Sequence, residues 1–219
     1  MDWSALKLSL YLAFATSLLL LPFGALAARL LAWSTFKGKW LIEAALALPL
    51  VLPPTVLGYY LLVALGSASP LGALYERITG HPLAFSFEGL VLASVLVNIP
   101  FALIPMQRSF EAIPLEVHQA ARVCGMSPWR AFFKVELPLA WPGVLSGFVM
   151  TAAHTIGEFG VVLMVGGNIP GETKTVAIAI YDRVQAFDMQ AAGWMSGTLL
   201  ALSLLALAFT TRLGRRQIR

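Results

Sequence analysis

Five stretches of this chain run without a single Asp, Glu, Lys or Arg: Leu8 to Ala28, Ala44 to Tyr75, Gly89 to Gln107, Leu137 to Gly157 and Met189 to Thr211. A helix needs roughly 17 to 25 predominantly apolar residues to cross about 30 Å of hydrocarbon, and each stretch is long enough. Composition agrees, because 58% hydrophobic and 12% charged residues in a chain of 219 leave too little polar surface to clothe a water-soluble core. The chain therefore reads as an all-α membrane protein. Its five transmembrane helices fall at about 5–32, 41–66, 88–107, 139–165 and 190–211, within one domain over 1–219. Cys124 is the only cysteine, which excludes a disulfide-built secreted domain. The net charge of +4 does not point to nucleic acid, because the charges sit between apolar spans.

Lys and Arg gather in short cytoplasmic loops, so their distribution orients the spans. Alternation across five spans puts Arg29, Lys37, Lys39, Arg108, Arg122, Arg130, Lys134, Arg212, Arg215, Arg216 and Arg219 on one side. Only Lys7, Arg77, Lys174 and Arg183 fall on the other, together with six carboxylates. The N-terminus is expected outside, the C-terminus in the cytoplasm and the 108–138 loop in the cytosol. Ala25-Leu26-Ala27 resembles a signal-peptidase site, but the apolar run continues to about Trp33 and its basic residues follow it, so the segment is kept as span one.

Prolines fall inside spans two, three and four: Pro49, Pro53 and Pro54, then Pro100 and Pro105, then Pro142. Each frees a carbonyl that lipid cannot satisfy, so these helices are expected to pack in a bundle. Gly143, Gly147, Gly157 and Gly160 let helices approach closely. The 67–88 and 166–188 loops, rich in Gly, Pro, Ser and Thr, are expected to hold turns with short helices at most. The cytosolic loop reads as a helical hairpin. One helix covers about Pro114 to Cys124 and exits left-handed at Gly125; a second, capped by Ser127, starts at Pro128 and ends before Pro138. Val123, Met126, Trp129, Phe132 and Phe133 give it an apolar surface that a lone loop has no reason to carry.

The order Gln119-Ala120-Ala121, Gly125, Val135, Leu137-Pro138 resembles the cytoplasmic "EAA" loop of ABC-importer permeases, with Gln119 in place of Glu and Val135 where Ile is frequent, and Trp129 lies within the same loop. The segments Pro49 to Tyr60, Gly157-Glu158-Phe159-Gly160, Gly166 to Gly171 and Ile180-Tyr181-Asp182 further resemble molybdate permeases, with sulfate permeases sharing part of the pattern. The resemblance implies a type I importer permease bundle in a bacterial inner membrane and an oxyanion substrate, with molybdate first and tungstate or sulfate as alternatives. It also implies a second copy of the chain, two cytosolic ATPases docked on the hairpin, and an external oxyanion-binding protein. ATP would then be bound by the partner, and the chain would be a permease subunit without cofactor or metal. A near miss to a phosphate-binding loop at Gly166, Gly171, Glu172 and Thr173 agrees, since Glu172 stands where that loop needs Lys.

Glu158 is an ionisable group near the outer end of span four, with His154 one turn before it. Such groups are functional candidates by default. A carboxylate suits a dianion's path poorly, so Glu158 is expected to act as a gate or a helix-packing hydrogen-bond group. Thr55, Tyr59 and Asn98 offer neutral donors to an oxyanion, or hydrogen bonds between helices. An ion channel or secondary transporter would carry charged rings or carboxylates in several spans, and only span four has one well inside. An intramembrane hydrolase would need facing nucleophile and base, whereas Ser146 and His154 lie about 12 Å apart along one helix. The orientation is checked with single cysteines at positions 80 and 124 and an impermeant thiol reagent on intact cells. Position 80 should label and position 124 should not; the reverse pattern overturns the topology.

Overall fold

The computed structural model describes residues 2–215, and side chains among them up to residue 208. Arg216 and Arg219, counted above in the cytoplasmic charge, lie outside the described residues, as do the side chains of Arg212 and Arg215. The chain forms α1 (Trp3–Trp33), α2 (Lys39–Ala47), a 3-10 turn (Leu48–Leu50), α3 (Pro54–Leu65), α4 (Pro70–Thr79) and α5 (Phe87–Glu111). Then come α6 (Leu115–Val123), α7 (Pro128–Ala131), a π-helical turn (Phe132–Glu136), α8 (Leu137–Gly157), α9 (Gly160–Gly166), α10 (Val176–Gln185) and α11 (Met189–Arg215). No strand occurs among the described residues.

Four of these helical stretches are long and apolar enough to cross a membrane, namely Trp3–Trp33, Phe87–Glu111, Pro128–Gly157 and Met189–Ala208. The expected second span is broken. Lys39–Leu50 and Pro54–Leu65 meet at 104°, and together they make a fifth crossing only if the two arms share one traverse. The cause is local: a residue before proline is pushed out of the helical region, and Pro53, which precedes Pro54, has ψ of 136°. Span four departs from expectation at both ends. At its outer end α8 stops at Gly157 and a separate short helix, α9, begins at Gly160. At its inner end the hairpin's second arm does not stop before Pro138 but runs on into α8. The N–H of Leu137 reaches back five residues to the Phe132 carbonyl, and Pro138, with no N–H to give, falls where the bonding register changes.

The centre of the bundle is α1 against α5 against α8. Leu20, Ala25 and Ala28 meet Ala102, Met106 and Phe110, and both sets meet Ala140 and Val144. The close approach relies on glycine: a Cβ on Gly143 would lie 2.3 Å from Ser109 Cβ and 2.5 Å from the Pro105 carbonyl oxygen. A second crossing joins the two interrupted spans. Gly58 of α3 lies where a Cβ would come 2.7 Å from Met164 Cβ, and Gly160 stands in the same relation to Pro54. α10 and α11 pack on the outside of α8 and α1, where Ala5, Leu6, Val176, Ala179 and Met195 form a separate cluster.

The two outer connections are more helical than the turn residues suggest. α4 has ten residues, capped by the Ser69 hydroxyl, started by Pro70 and closed by Gly80 at φ of 81°. α10 also has ten, and its first N–H, from Val176, donates to the buried Ser9 hydroxyl of α1 at 2.8 Å. Gly143→Val should force α5 and α8 apart and lower stability by about 1–3 kcal/mol. Thermal unfolding of the purified protein in detergent measures this, and an unchanged midpoint would remove Gly143 from the helix interface.

Candidate functional site

The hairpin is built as its capping residues dictate. After α6, Gly125 takes φ of 73°, its N–H bonds the Arg122 carbonyl at 2.9 Å, and the Met126 N–H reaches the Ala121 carbonyl at 3.1 Å. This paired closure satisfies the last carbonyls of α6 and needs a residue that tolerates the left-handed region. The Ser127 hydroxyl accepts from the Arg130 N–H, opening α7. One of the expected surface residues, Phe132, turns inward, as does Ala121 of the motif. Phe132 is buried with Phe110 and Ile113 in the central cluster, and Ala121 is only 6% exposed. The outer face is left to Gln119, Ala120, Val123, Gly125, Trp129 and Phe133, with Met126, Val135 and Leu137 half-buried and Pro138 exposed. Val123 is 88% exposed and Trp129 62%, and Trp129 stacks on Phe133 at 6.2 Å. Uncovered aromatic and aliphatic surface of this kind marks a contact face.

The four residues singled out for the spans divide into two groups. Asn98 is buried; its Nδ2 donates to the Ser94 carbonyl at 2.8 Å, and its Oδ1 lies 3.1 Å from His154 Nδ1. His154 stacks on Phe101, with ring centroids 3.9 Å apart, and its Nε2 lies 3.7 Å from Glu158 Oε2. Glu158 occupies the break between α8 and α9, where its Oε1 accepts from the Val161 N–H at 3.0 Å. Its carboxylate thus serves a backbone donor that the interruption exposes. Asn98, His154 and Glu158 form one polar chain from α5 across α8 to the start of α9. Thr55 and Tyr59 are exposed one turn apart on α3 and do not join that chain. Their helix begins at Pro54, which packs on Gly160 two residues beyond Glu158.

The outer glycine-rich turn spends its amides on itself. The N–H groups of Glu172, Thr173 and Lys174 all point at the Ile169 carbonyl, and the Ile169 N–H donates to the Thr173 hydroxyl. A turn folded this way has little left to offer an anion. Asp182 closes over it, 2.6 Å from Lys174 Nζ and 3.1 Å from Asn168 Nδ2. Burial alone would raise the Asp182 carboxyl, but these partners outweigh it and hold the group below the ordinary carboxylate range.

One cluster escaped the sequence reading. Glu136, 1% exposed, receives a two-pronged contact from Arg29: Nε binds Oε2, and Nη2 lies 3.2 Å from Oε1. His118 Nδ1 reaches Oε1 at 2.9 Å and must be the donor, because an ionised carboxylate only accepts. The His118 ring stacks on Trp33 at 4.7 Å, and the Arg29 guanidinium lies 5.6 Å from the Phe132 ring centre. The available signal was positional, since Arg29 and Glu136 are the charges that bound the first and fourth apolar stretches on the same side. Among the described residues no His, Cys, Asp and Glu cluster has metal-binding spacing.

Residues 20–219 match the family described as "Binding-protein-dependent transport system inner membrane component". The chain is 47% identical over 209 residues to the "Molybdenum transport system permease protein ModB" of Azotobacter vinelandii, covering 94% of this chain and 91% of that one. It is 41% identical over 184 residues to the protein of the same name from Escherichia coli K12, covering 84% and 80%. Its fold is similar to that of a bacterial ABC transporter involved in the import of the acidic polysaccharide alginate, with a TM-score of 0.75 over 97% of this chain and 78% of that one. The identity there is 17%, so this likeness speaks to fold alone. Glu158→Gln keeps an acceptor for the Val161 N–H and should leave the unfolding midpoint near that of the unsubstituted protein. Glu158→Leu orphans that donor and should cost about 1–3 kcal/mol; equal midpoints for the two variants would discard the capping role.

Proposed function

Because the chain belongs to the family of binding-protein-dependent transport system inner membrane components, we propose that it carries molybdate across the membrane as the permease of an ATP-driven importer. The observation behind the substrate is the 47% identity, over nearly the whole chain, to a permease named for molybdenum transport. An isolated oxyanion faces a barrier of tens of kcal/mol in hydrocarbon, so uptake needs a polar path, and accumulation needs an energy source. The path is served by neutral groups. Thr55 and Tyr59 project from the first turns of α3, where the helix dipole favours an anion, and hydroxyls bind weakly enough to release it. Glu158 is occupied with capping α9 and acts on the path by holding the break in shape rather than by touching the substrate.

Energy comes from a separate ATPase docked on the hairpin, whose uncovered Val123, Trp129 and Phe133 supply an apolar anchor for a protein groove. The hairpin then lies in the cytosol, as the basic asymmetry of the loops favours, with the N-terminus outside and the C-terminus inside. Val56, Tyr59, Tyr60 and Val63 leave one side of α3 uncovered, and a second copy of the chain would cover it and enclose the path. Two ATPases and an external binding protein complete the assembly.

The test is uptake into vesicles that contain the permease, its ATPase and its binding protein, supplied with labelled molybdate or sulfate at equal low concentration. ATP-dependent molybdate accumulation is expected. Accumulation of sulfate without molybdate replaces the substrate and leaves the importer. Trp129→Asp should release the ATPase from the purified permease while insertion is unchanged, and retention of the ATPase would remove the hairpin face from the docking site.

A further inference from the structure

A push on the hairpin reaches α8 through the chain itself, because Pro128–Gly157 is one continuous helical stretch. It has no such route to α1, which lies at the centre of the bundle and is separated from the hairpin by the 81 residues between Trp33 and Leu115. Apolar packing between the two, with Ala28 and Phe132 in the same cluster, allows sliding. A buried ion pair does not, because any slip strands a charge away from water.

We propose that Glu136 is the positioning residue that clamps the hairpin to α1, through Arg29 and His118, so that displacement of the hairpin moves α1 together with α8. The inference rests on reading the hairpin as the ATPase docking face. Three observations carry it. First, Glu136 joins three elements at one carboxylate: Arg29 of α1 on both oxygens, His118 of α6 on one, and its own turn at the head of α8. Both arms of the hairpin are thereby held, and the stack of His118 on Trp33 ties α6 to α1 a second time. Second, the π turn sets the geometry. A turn bonded five residues back keeps Phe132 and Glu136 on one inward side, so Arg29 is gripped by the carboxylate and covered by the Phe132 ring. Third, the other ion pairs among the described residues are local in sequence: Lys39 with Glu43, Arg108 with Glu111, His154 with Glu158, Lys174 with Asp182 and Arg183 with Asp188. Arg29 and Glu136, 107 residues apart, are the pair that fastens distant helices. Two tightly packed bodies joined this way move as one until the contact breaks as a whole.

The experiment places spin labels at exposed Phe23 on α1 and exposed Glu116 on the hairpin, in a Cys124→Ser background of the full chain. The purified permease alone, diluted with excess unlabelled chain so that only the distance within one chain is read, should give one narrow distance distribution, and Glu136→Gln and Arg29→Met should broaden it. His118→Phe, which keeps the stack on Trp33 and the ion pair, should broaden it less. If none of the variants that insert broadens the distribution, the clamp is refuted. With the ATPase present, ATP turnover should leave the distance unchanged in the parent and shift it in Glu136→Gln; an equal shift in both refutes the clamp as well. In transporting vesicles, Glu136→Gln should hydrolyse ATP while moving about tenfold less molybdate per ATP, within the usual range of coupling factors. A parent complex that moves no molybdate defeats the transport reading, whereas the distance measurement on the permease alone still decides the clamp.

Discussion

Hydrocarbon offers nothing to an unpaired N–H or C=O, and this intolerance governs where the chain can bend. The structure interrupts its spans at two places and pairs them with each other. The start of α3, after Pro53, lies against the start of α9, after Glu158, through the contact of Pro54 with Gly160. Irregular backbone is thus enclosed by protein, and the donor that the second break would strand is answered by the Glu158 carboxylate. Around this pair the uninterrupted α1, α5 and α8 form the stiff part of the bundle, close-packed through alanine and glycine.

The same intolerance explains why Asn98, His154 and Glu158 are linked in one chain inside the bundle. Asn98 binds its own helix at Ser94 and faces His154, and His154 leans toward Glu158. Each group satisfies a neighbour, so the series stitches α5 to the broken fourth span without leaving a charge exposed to lipid. Molybdenum-permease relatives share most of this chain, yet the neutral hydroxyls on α3 would suit any tetrahedral dianion. On the proposed path, charge alone would not separate molybdate from sulfate.

At the opposite end of α8 the constraint takes another form. Leu137 bonds back across a wide turn, which lets the helix absorb Pro138 and carry on. A short arm and a long span thereby become one lever. Rotation of a packed lever is a discrete event, because interdigitated side chains have few alternative arrangements. The apolar outer face of the hairpin and the Glu136 cluster beneath it lie on opposite sides of that lever, one uncovered and the other turned to the bundle.

The number of apolar segments, their charged boundaries and the hairpin with its Gly125 exit were legible in the residues alone, because hydropathy and capping are local properties. Inner-membrane family membership followed from motif spacing for the same reason. Local rules also marked Pro53 and Pro54 as awkward in a span, but not the 104° bend, which depends on α9 being present to receive α3. Glu158 was visible as an ionisable residue in a span; that it caps α9 was not, because periodicity continued across Gly157 to Gly160 as if the helix did. Phe132 read as surface and proved to be core, since the π turn puts it on the same inward side as Glu136. Glu136 and Arg29 were bystanders in the sequence. Only the fold brings together two charges 107 residues apart, and only burial gives their contact its rigidity.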